Sequence, residues 1–260
     1  MKFDMHCHTK EGSIDSTVSI KRYIELLQAQ DFGGMLVTDH NSYKGYDYWK
    51  QHKSEMPQDF TVLRGIEYDT KDAGHYIVIM PDGIDLKVLK MRGMSLETLI
   101  KIVHNFGGVL GPAHPFGVRS ASAMFFKKLK RNPKILRELD FLEGFNTCEK
   151  EKANRIAQTL ARRYGLQCFA GSDSHREKYV GTAYTVFDRD ISCNNDLIEA
   201  VKEHGVAAYG GIERKFLKKH KLRNAFYTTW SFKAYNRSLG FLYTPVRNHK
   251  LKKLSTHHGA

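Results

Sequence analysis

Short apolar runs recur from residue 3 to about residue 209, and most of them stop on polar or ionisable residues. Phe3-Asp4-Met5 runs into His6-Cys7-His8-Thr9; residues 34–38 stop at Asp39-His40; residues 60–66 lead into Glu67. His75 opens the run 75–80. Residues 108–111 precede His114-Pro115, residues 140–145 stop at Asn146, and residues 167–171 stop at Ser172-Asp173-Ser174-His175. Two further strand-like stretches follow at 183–187 and 206–209. Continuous apolar runs of this length are what strands buried in a sheet look like. Between them apolar positions fall at helical spacing, as with Ile20, Tyr23, Ile24 and Leu27, which predicts helices near 20–29, 96–104, 150–163 and 196–203. Alternating strands and helices predict βα units with right-handed crossovers and a mainly parallel sheet.

The polar residues sharpen that picture. In a parallel βα barrel the active site is built at the C-terminal ends of the strands, and His6, His8, His40, Glu67, His114, Asp173 and His175 all fall there. An open doubly wound sheet is the competing fold, but its crevice at one switch point would not gather residues from five or six strands.

The opening segment carries the first chemical signal. Alternate side chains of a strand share a face, so His6 and His8 are expected to point together while Met5 and Cys7 point the other way. Two convergent neutral imidazoles form half of a coordination shell. Each candidate also has a plain structural reading: His114 in a turn, His75 as a strand start, Asp15 as a helix cap. Gathered in a barrel mouth, however, these acids and histidines would be costly to desolvate without cations.

With these residues in hand, the sequence resembles the PHP family, named for polymerase and histidinol phosphatase. The motifs are His6-Cys7-His8-Thr9, Thr38-Asp39-His40-Asn41, Gly65-Ile66-Glu67, Ala113-His114-Pro115 and Gly171-Ser172-Asp173-Ser174-His175, over roughly residues 1–210. The resemblance implies a distorted seven-stranded (β/α)7 barrel holding two to three divalent metal ions. One would be held by His6, His8, Glu67 and Asp173, a second by Glu67, His75 and His114, and a third by Asp15, His40 and His175, with Glu11 as a competitor for Asp15. His6, His8, Glu67, Asp173 and His175 would form the catalytic core, and Asp39 would steady a neighbour rather than bind metal. Such a mixed nitrogen and oxygen shell suits manganese, iron or zinc. The implied chemistry is phosphoester hydrolysis by in-line attack of a metal-bridged hydroxide. Arg119, Arg176 and Asn146 are candidate substrate contacts.

Composition places the remaining features. Of the +13 formal charge, residues 213–260 carry eight Lys, four Arg and a single acid, a net of +11, leaving +2 for the first 212. This suggests a PHP-type unit over 1–212 and a basic, aromatic-rich extension over 213–260, in which Phe226, Trp230 and Ala234 are spaced for an amphipathic helix. The extension is expected to pack its aromatics on the barrel, with single-stranded nucleic acid or anionic lipid as other uses of the charge. No run approaches the roughly 18 apolar residues of a membrane span, and the start of the chain leaves no room for a signal peptide, which predicts a cytoplasmic protein. Cys7, Cys148, Cys168 and Cys193 have no paired spacing and are expected to be reduced. The expected function is a phosphomonoesterase acting on nucleotides or oligonucleotide ends. The alternatives are a histidinol-phosphate-type metabolite phosphatase, or a nucleic-acid or membrane-surface binding protein whose barrel is not catalytic.

Overall fold

In a computed structural model, which describes residues 1–117, 122–125, 127–214 and 223–257, the apolar runs become strands and the amphipathic segments become helices. The strands are β1 Lys2–Cys7, β2 Phe32–Val37, β3 Thr61–Asp69, β4 His75–Ile79, β5 Val109–Pro112, β6 Phe141–Asn146, β7 Gln167–Gly171, β8 Ala183–Phe187 and β9 Val206–Gly211. The helices are α1 Ile20–Gln28, α2 Lys44–Gln51, α3 Leu96–Asn105, α4 Lys127–Arg131, α5 Glu151–Tyr164, α6 Asn194–Lys202 and α7 Arg223–His257. Local signals set their ends. Ser19 and Ser95 accept the amides of Arg22 and Thr98 as N-caps, and Gly165 ends α5 at φ 67°, a left-handed turn that suits a residue without Cβ.

One sheet runs in the order β5-β4-β3-β2-β1-β8-β9, and β6-β7 form a second. The two curl into a distorted barrel. The Asp140 amide donates to the Leu110 carbonyl (3.0 Å), and the Asp173 amide donates to the His6 carbonyl (2.9 Å) beside a Cys7–Ser174 bridge. The mainly parallel expectation is corrected: β1–β2, β2–β3 and β6–β7 are parallel, whereas β3–β4, β4–β5, β1–β8 and β8–β9 are antiparallel. For β4 the cause is the link 70–74, far too short for the dozen or more residues of a parallel crossover. Reversal of β4 brings its first residue, His75, opposite Asp69, at the rim where the neighbouring strands end.

A second correction concerns β1. Met5 packs inside the barrel with Phe3, Leu36, Leu63 and Ile77, whereas Cys7 packs outside with Tyr23 and Ile24 of α1. The pairing of β1 with β2 shifts register between Asp4 and Cys7, and this irregularity breaks strict alternation and turns His6 toward the interior. Beneath the histidines lies a floor of phenyl rings: Phe141 stacks on Phe169 at 4.2 Å, and Phe187 meets Phe169 and Phe3 edge-on at 5.9 Å. Each ring so buried contributes about 1.5–3 kcal/mol. Leu197, Ile198 and Val201 of α6 join this cluster and close the opposite end of the barrel.

The basic extension is helical from residue 223, and its second half rests on the barrel. Gly240 sits against Gly93, Leu251 and Leu254 pack on the cluster that includes Leu96 and Ile100, and the buried Arg247 donates to the Arg92 carbonyl at 2.8 Å. Ala234 and Tyr235 are exposed, contrary to a wholly packed aromatic face. The side chains of Phe226 and Trp230, and the run 215–222, lie outside the described residues. Among the described residues, no helix is long and apolar enough to cross a membrane.

Candidate metal centre

The rim of the barrel brings nine side chains from seven chain segments into one cluster, buried except at Asp15, His40 and His175, with Glu67 at its middle. Glu67, two residues before the end of β3, is 1% exposed. Its Oε1 lies 2.8 Å from His75 Nδ1 and 2.9 Å from His114 Nε2; its Oε2 lies 3.2 Å from His40 Nδ1, 3.3 Å from His8 Nε2 and 3.5 Å from His6 Nε2. Asp173 Oδ1 approaches His8 Nε2 at 3.3 Å and His6 Nε2 at 3.6 Å. On the solvent side, Asp15 Oδ2 faces His175 Nε2 at 3.2 Å and His40 Nε2 at 3.8 Å. Glu11 is occupied elsewhere, since its Oε2 accepts the Ile20 amide.

The nitrogens of His6 and His8 face each other at 3.0 Å, a separation that needs a proton or a cation between two lone pairs. His6 Nδ1 lies 2.9 Å from Glu143 Oε1, which leaves Nε2 of that ring pointing into the cluster. The same holds for His8, whose Nδ1 lies 3.2 Å from Ser13 Oγ; that hydroxyl donates to Asp39, which also accepts from the amide and hydroxyl of Thr9. Asp39 therefore steadies His8 without entering the centre. Three sets of side chains, His6–His8–Glu67, His40–Glu67–His75 and His8–His40–His175, each place their donor atoms within 4.8 Å of one another. This all nitrogen and carboxylate-oxygen donor set, oriented from behind by further carboxylates, fits divalent cations.

Electrostatics point the same way. Burial alone would depress the histidines, but facing carboxylates outweigh it: His6 is held well above its ordinary value by Glu143, Asp173 and Glu67. His40 is pushed up to about 10 by Glu67, Asp69 and Asp15, and His114 up to about 9, chiefly by Glu67. Burial would raise Glu67 and Asp173, yet the surrounding imidazoles bring both well below the usual carboxylate range. An arrangement of carboxylates that favours the charged imidazolium also favours a bound cation. Two candidate ligands have left-handed backbone, His114 at φ 30° and Asp173 at φ 50°.

Of the residues expected to touch substrate, Arg176 borders a pocket that adjoins His175. Asn146 is buried, and its amide donates to Glu143 Oε2 (3.1 Å) and Asp173 Oδ2 (3.2 Å), so it orients carboxylates rather than facing solvent. Arg119 lies outside the described residues. Two carboxylates escaped the sequence reading. Glu143 sits inside the apolar run Phe141-Leu142-Glu143-Gly144-Phe145, where a lone acid was itself a signal. Asp69 lies two residues beyond Glu67 on the same strand face; its Oδ1 is 3.2 Å from His75 Nε2, and its Oδ2 accepts from Asn41 and pairs with Arg92 at 2.8 Å.

A curled barrel with a histidine and carboxylate cluster at its rim defines a metal-dependent hydrolase scaffold. The chain belongs to the PHP family: the PHP domain model matches residues 4–172, and the PHP-associated model matches residues 151–206. No curated protein matches by sequence. Among solved structures, PsfC from Pseudomonas syringae PB-5123 is similar at TM-score 0.58 and 18% identity, covering 92% of this chain and 98% of that one. Endonuclease Q, in complex with a 27-mer duplex bearing an abasic lesion, gives TM-score 0.60 and 15% identity over 88% of this chain and 67% of that one. A Bifidobacterium adolescentis protein assigned as a metal-dependent phosphoesterase gives TM-score 0.52 and 16% identity over 76% and 95%. At these identities the likeness is one of fold.

Proposed function

We propose that this protein is a divalent-metal-dependent phosphoesterase that hydrolyses phosphomonoesters, with nucleotides or oligonucleotide ends as the substrate class. The observation that carries the reading is the buried Glu67 carboxylate, with imidazole nitrogens of His6, His8, His40, His75 and His114 all within 3.5 Å. One such carboxylate can bridge two cations. In this reading His6, His8 and Asp173 complete one position and His75 and His114 a second. Asp15, His40 and His175 form a third, the most exposed, so the phosphoryl group approaches from their side. Manganese, iron or zinc bound there would supply an activated water and offset charge on the phosphoryl and leaving oxygens. The chain's own part is orientation: Glu143 and Ser13 aim His6 and His8, Asn146 aims Asp173, and the phenyl floor keeps water from the back of the cluster.

Two facts favour nucleotide-type substrates. The extension carries a net +11, which attracts polyanions, and a similarly folded protein, Endonuclease Q, is seen with DNA. A binding protein with a non-catalytic barrel would have no use for so complete a donor set, and nothing observed selects a histidinol-phosphate-type substrate. The test is elemental analysis of purified protein joined to phosphate release from nucleotides, bisphosphates, oligonucleotides and histidinol phosphate with each metal restored. Two or three metals per chain with turnover of the nucleotide class is expected. Metal-free, inactive protein that still binds nucleic acid would overturn the reading.

A further inference from the structure

We propose that the outward face of α7 is a peripheral docking surface for an anionic lipid bilayer, with Phe241, Leu242, Pro245 and Val246 entering the interface. The inference does not rest on the phosphoesterase reading. Among the described residues ten large apolar side chains are exposed, and five of them, Tyr235, Phe241, Leu242, Tyr243 and Val246, fall between residues 235 and 246. Single exposed apolar residues are ordinary on a protein surface, but a cluster marks a contact. Phe241 is 79% exposed and Leu242 66%.

The seating of α7 on the barrel fixes which way these side chains point. Gly240, Arg247, Leu251 and Leu254 recur at helical spacing on one side, where a Cβ at residue 240 would stand 3.2 Å from Gly93 Cα and the Arg247 guanidinium donates to the Arg92 carbonyl. At about 100° per residue, Leu242 lies about 200° round the helix from Gly240. Phe241 with Pro245 and Leu242 with Val246, each pair four residues apart, therefore form one strip turned away from the barrel, and all four are exposed. Arg237 and Lys250 fall on opposite flanks of that strip, Arg237 exposed and Lys250 partly so. An apolar strip bordered by long cations is the pattern of a helix lying in a membrane interface, where the stems follow the apolar surface and the charged ends reach the headgroups.

Charge selects the occupant. Residues 223–257 hold seven Lys and Arg and no Asp or Glu, and the extension as a whole carries +11. A second copy would set this helix against one as basic as itself. Nucleic acid would meet the charge but not the strip, because Leu, Pro and Val neither stack on bases nor hold phosphates. A groove on an acidic protein would have to enclose a helix whose other side is already seated on the barrel. A flat anionic surface satisfies both features at once: the acyl-chain boundary takes the strip, and the headgroup phosphates take the cations. No helix among the described residues is long and apolar enough to cross a membrane, so α7 would lie on the surface rather than span it.

The test uses the full-length protein and three probes: neutral vesicles of phosphatidylcholine, anionic vesicles of equimolar phosphatidylcholine and phosphatidylglycerol, and a single-stranded oligonucleotide. Flotation is expected to recover wild type with the anionic vesicles and not with the neutral ones, and added salt should weaken the binding. Phe241→Ser/Leu242→Ser should lower the partition coefficient for anionic vesicles by about tenfold or more, since two apolar anchors are lost. Arg237→Gln/Lys250→Gln should lower it by about tenfold. Both variants should keep the wild-type circular dichroism and phosphate release from a soluble nucleotide, so that failure of the enzymatic reading and failure of this one are read separately. Should the serine pair not fold, Phe241→Trp decides: it should bind as wild type does, and its added fluorescence should shift to the blue on anionic vesicles. An unshifted emission, recovery no greater with anionic than with neutral vesicles, or unchanged binding by a folded serine pair would overturn the proposal. So would a serine pair that loses the oligonucleotide and keeps the vesicles, or one that turns a wild-type dimer into a monomer on a sizing column, since the strip would then belong to nucleic acid or to a second copy.

Discussion

Replacing Glu143 by Gln tests how the centre is aimed, because it preserves shape and changes only the donor pattern. In the wild type, Oε1 meets His6 Nδ1 at 2.9 Å, and Oε2 accepts from the His114 amide and from Asn146 Nδ2. All three partners call for an acceptor. A glutamine has one oxygen and one NH2, so one side must present donor to donor. If the NH2 faces the His114 amide and Asn146, a backbone donor at a candidate ligand is left unmet, at a cost of about 1–3 kcal/mol. If it faces His6, the ring must move its proton to Nε2, the atom that faces His8 Nε2 at 3.0 Å and Glu67 Oε2 at 3.5 Å. That places a hydrogen where a cation would bind. Loss of a group that orients a ligand typically weakens metal affinity by about 10–100-fold, or about 1.4–2.7 kcal/mol. Competition titration against a chelating dye, with circular dichroism to verify folding, measures this directly. Unchanged affinity and stoichiometry in a folded Glu143→Gln protein would refute the idea that Glu143 fixes the His6 tautomer.

Other expectations follow from the same geometry. Glu67→Ala should abolish tight metal binding and reduce phosphate release by at least about a thousandfold, as expected when two cations lose a shared ligand, and retention of a full metal complement would sink the bridging role. Gly12→Ala would put a Cβ 1.8 Å from Asp39 Oδ2 and displace a carboxylate held by Thr9 and Ser13; a loss of about 1–3 kcal/mol is expected in urea melts, with weaker metal binding through His8. Burial pushes Asp4 up to about 6, so its contribution to stability is fully present below its unfolded value near 4 and is lost as pH rises through 6, about 3 kcal/mol in all. Asp4→Asn should flatten that decline, and melts from pH 4 to 7 with identical slopes in both proteins would count against it. Metal loading should release protons from His6, His40 and His114, visible as a buffer-dependent calorimetric enthalpy, and affinity should rise with pH.

The strand-end residues were readable from sequence because the boundary of an apolar run is a local property, and His40, Glu67, His114, Asp173 and His175 all stand at such boundaries. What escaped was relational. The reversal of β4 follows from the shortness of the link 70–74, yet a histidine at the beginning of a run looks misplaced until strand direction is known. The displacement of Met5 from Cys7 depends on how β1 pairs with β2, which no periodicity in β1 alone reveals. Glu143 and Asp69 matter through what lies opposite them. In the extension, charge was legible, whereas the burial of Arg247 depends on a surface formed by residues 92 and 93.

That surface gives the extension a mechanical consequence. Arg92 is a joint: its carbonyl accepts from Arg247 of α7, its guanidinium lies 4.9 Å from the Tyr235 ring, and the same guanidinium clasps Asp69, whose other oxygen touches His75. The boundary near residue 212 is thus a change in composition and not a place where the chain can be cut without consequence. A shortened chain would uncover Gly93 and slacken the rear anchor of the centre, so loss of activity on truncation would report a loosened hinge as readily as a lost binding surface. Point changes on the outward face of α7, at Phe241 or Leu242, leave that joint intact and are the way to ask what the extension touches.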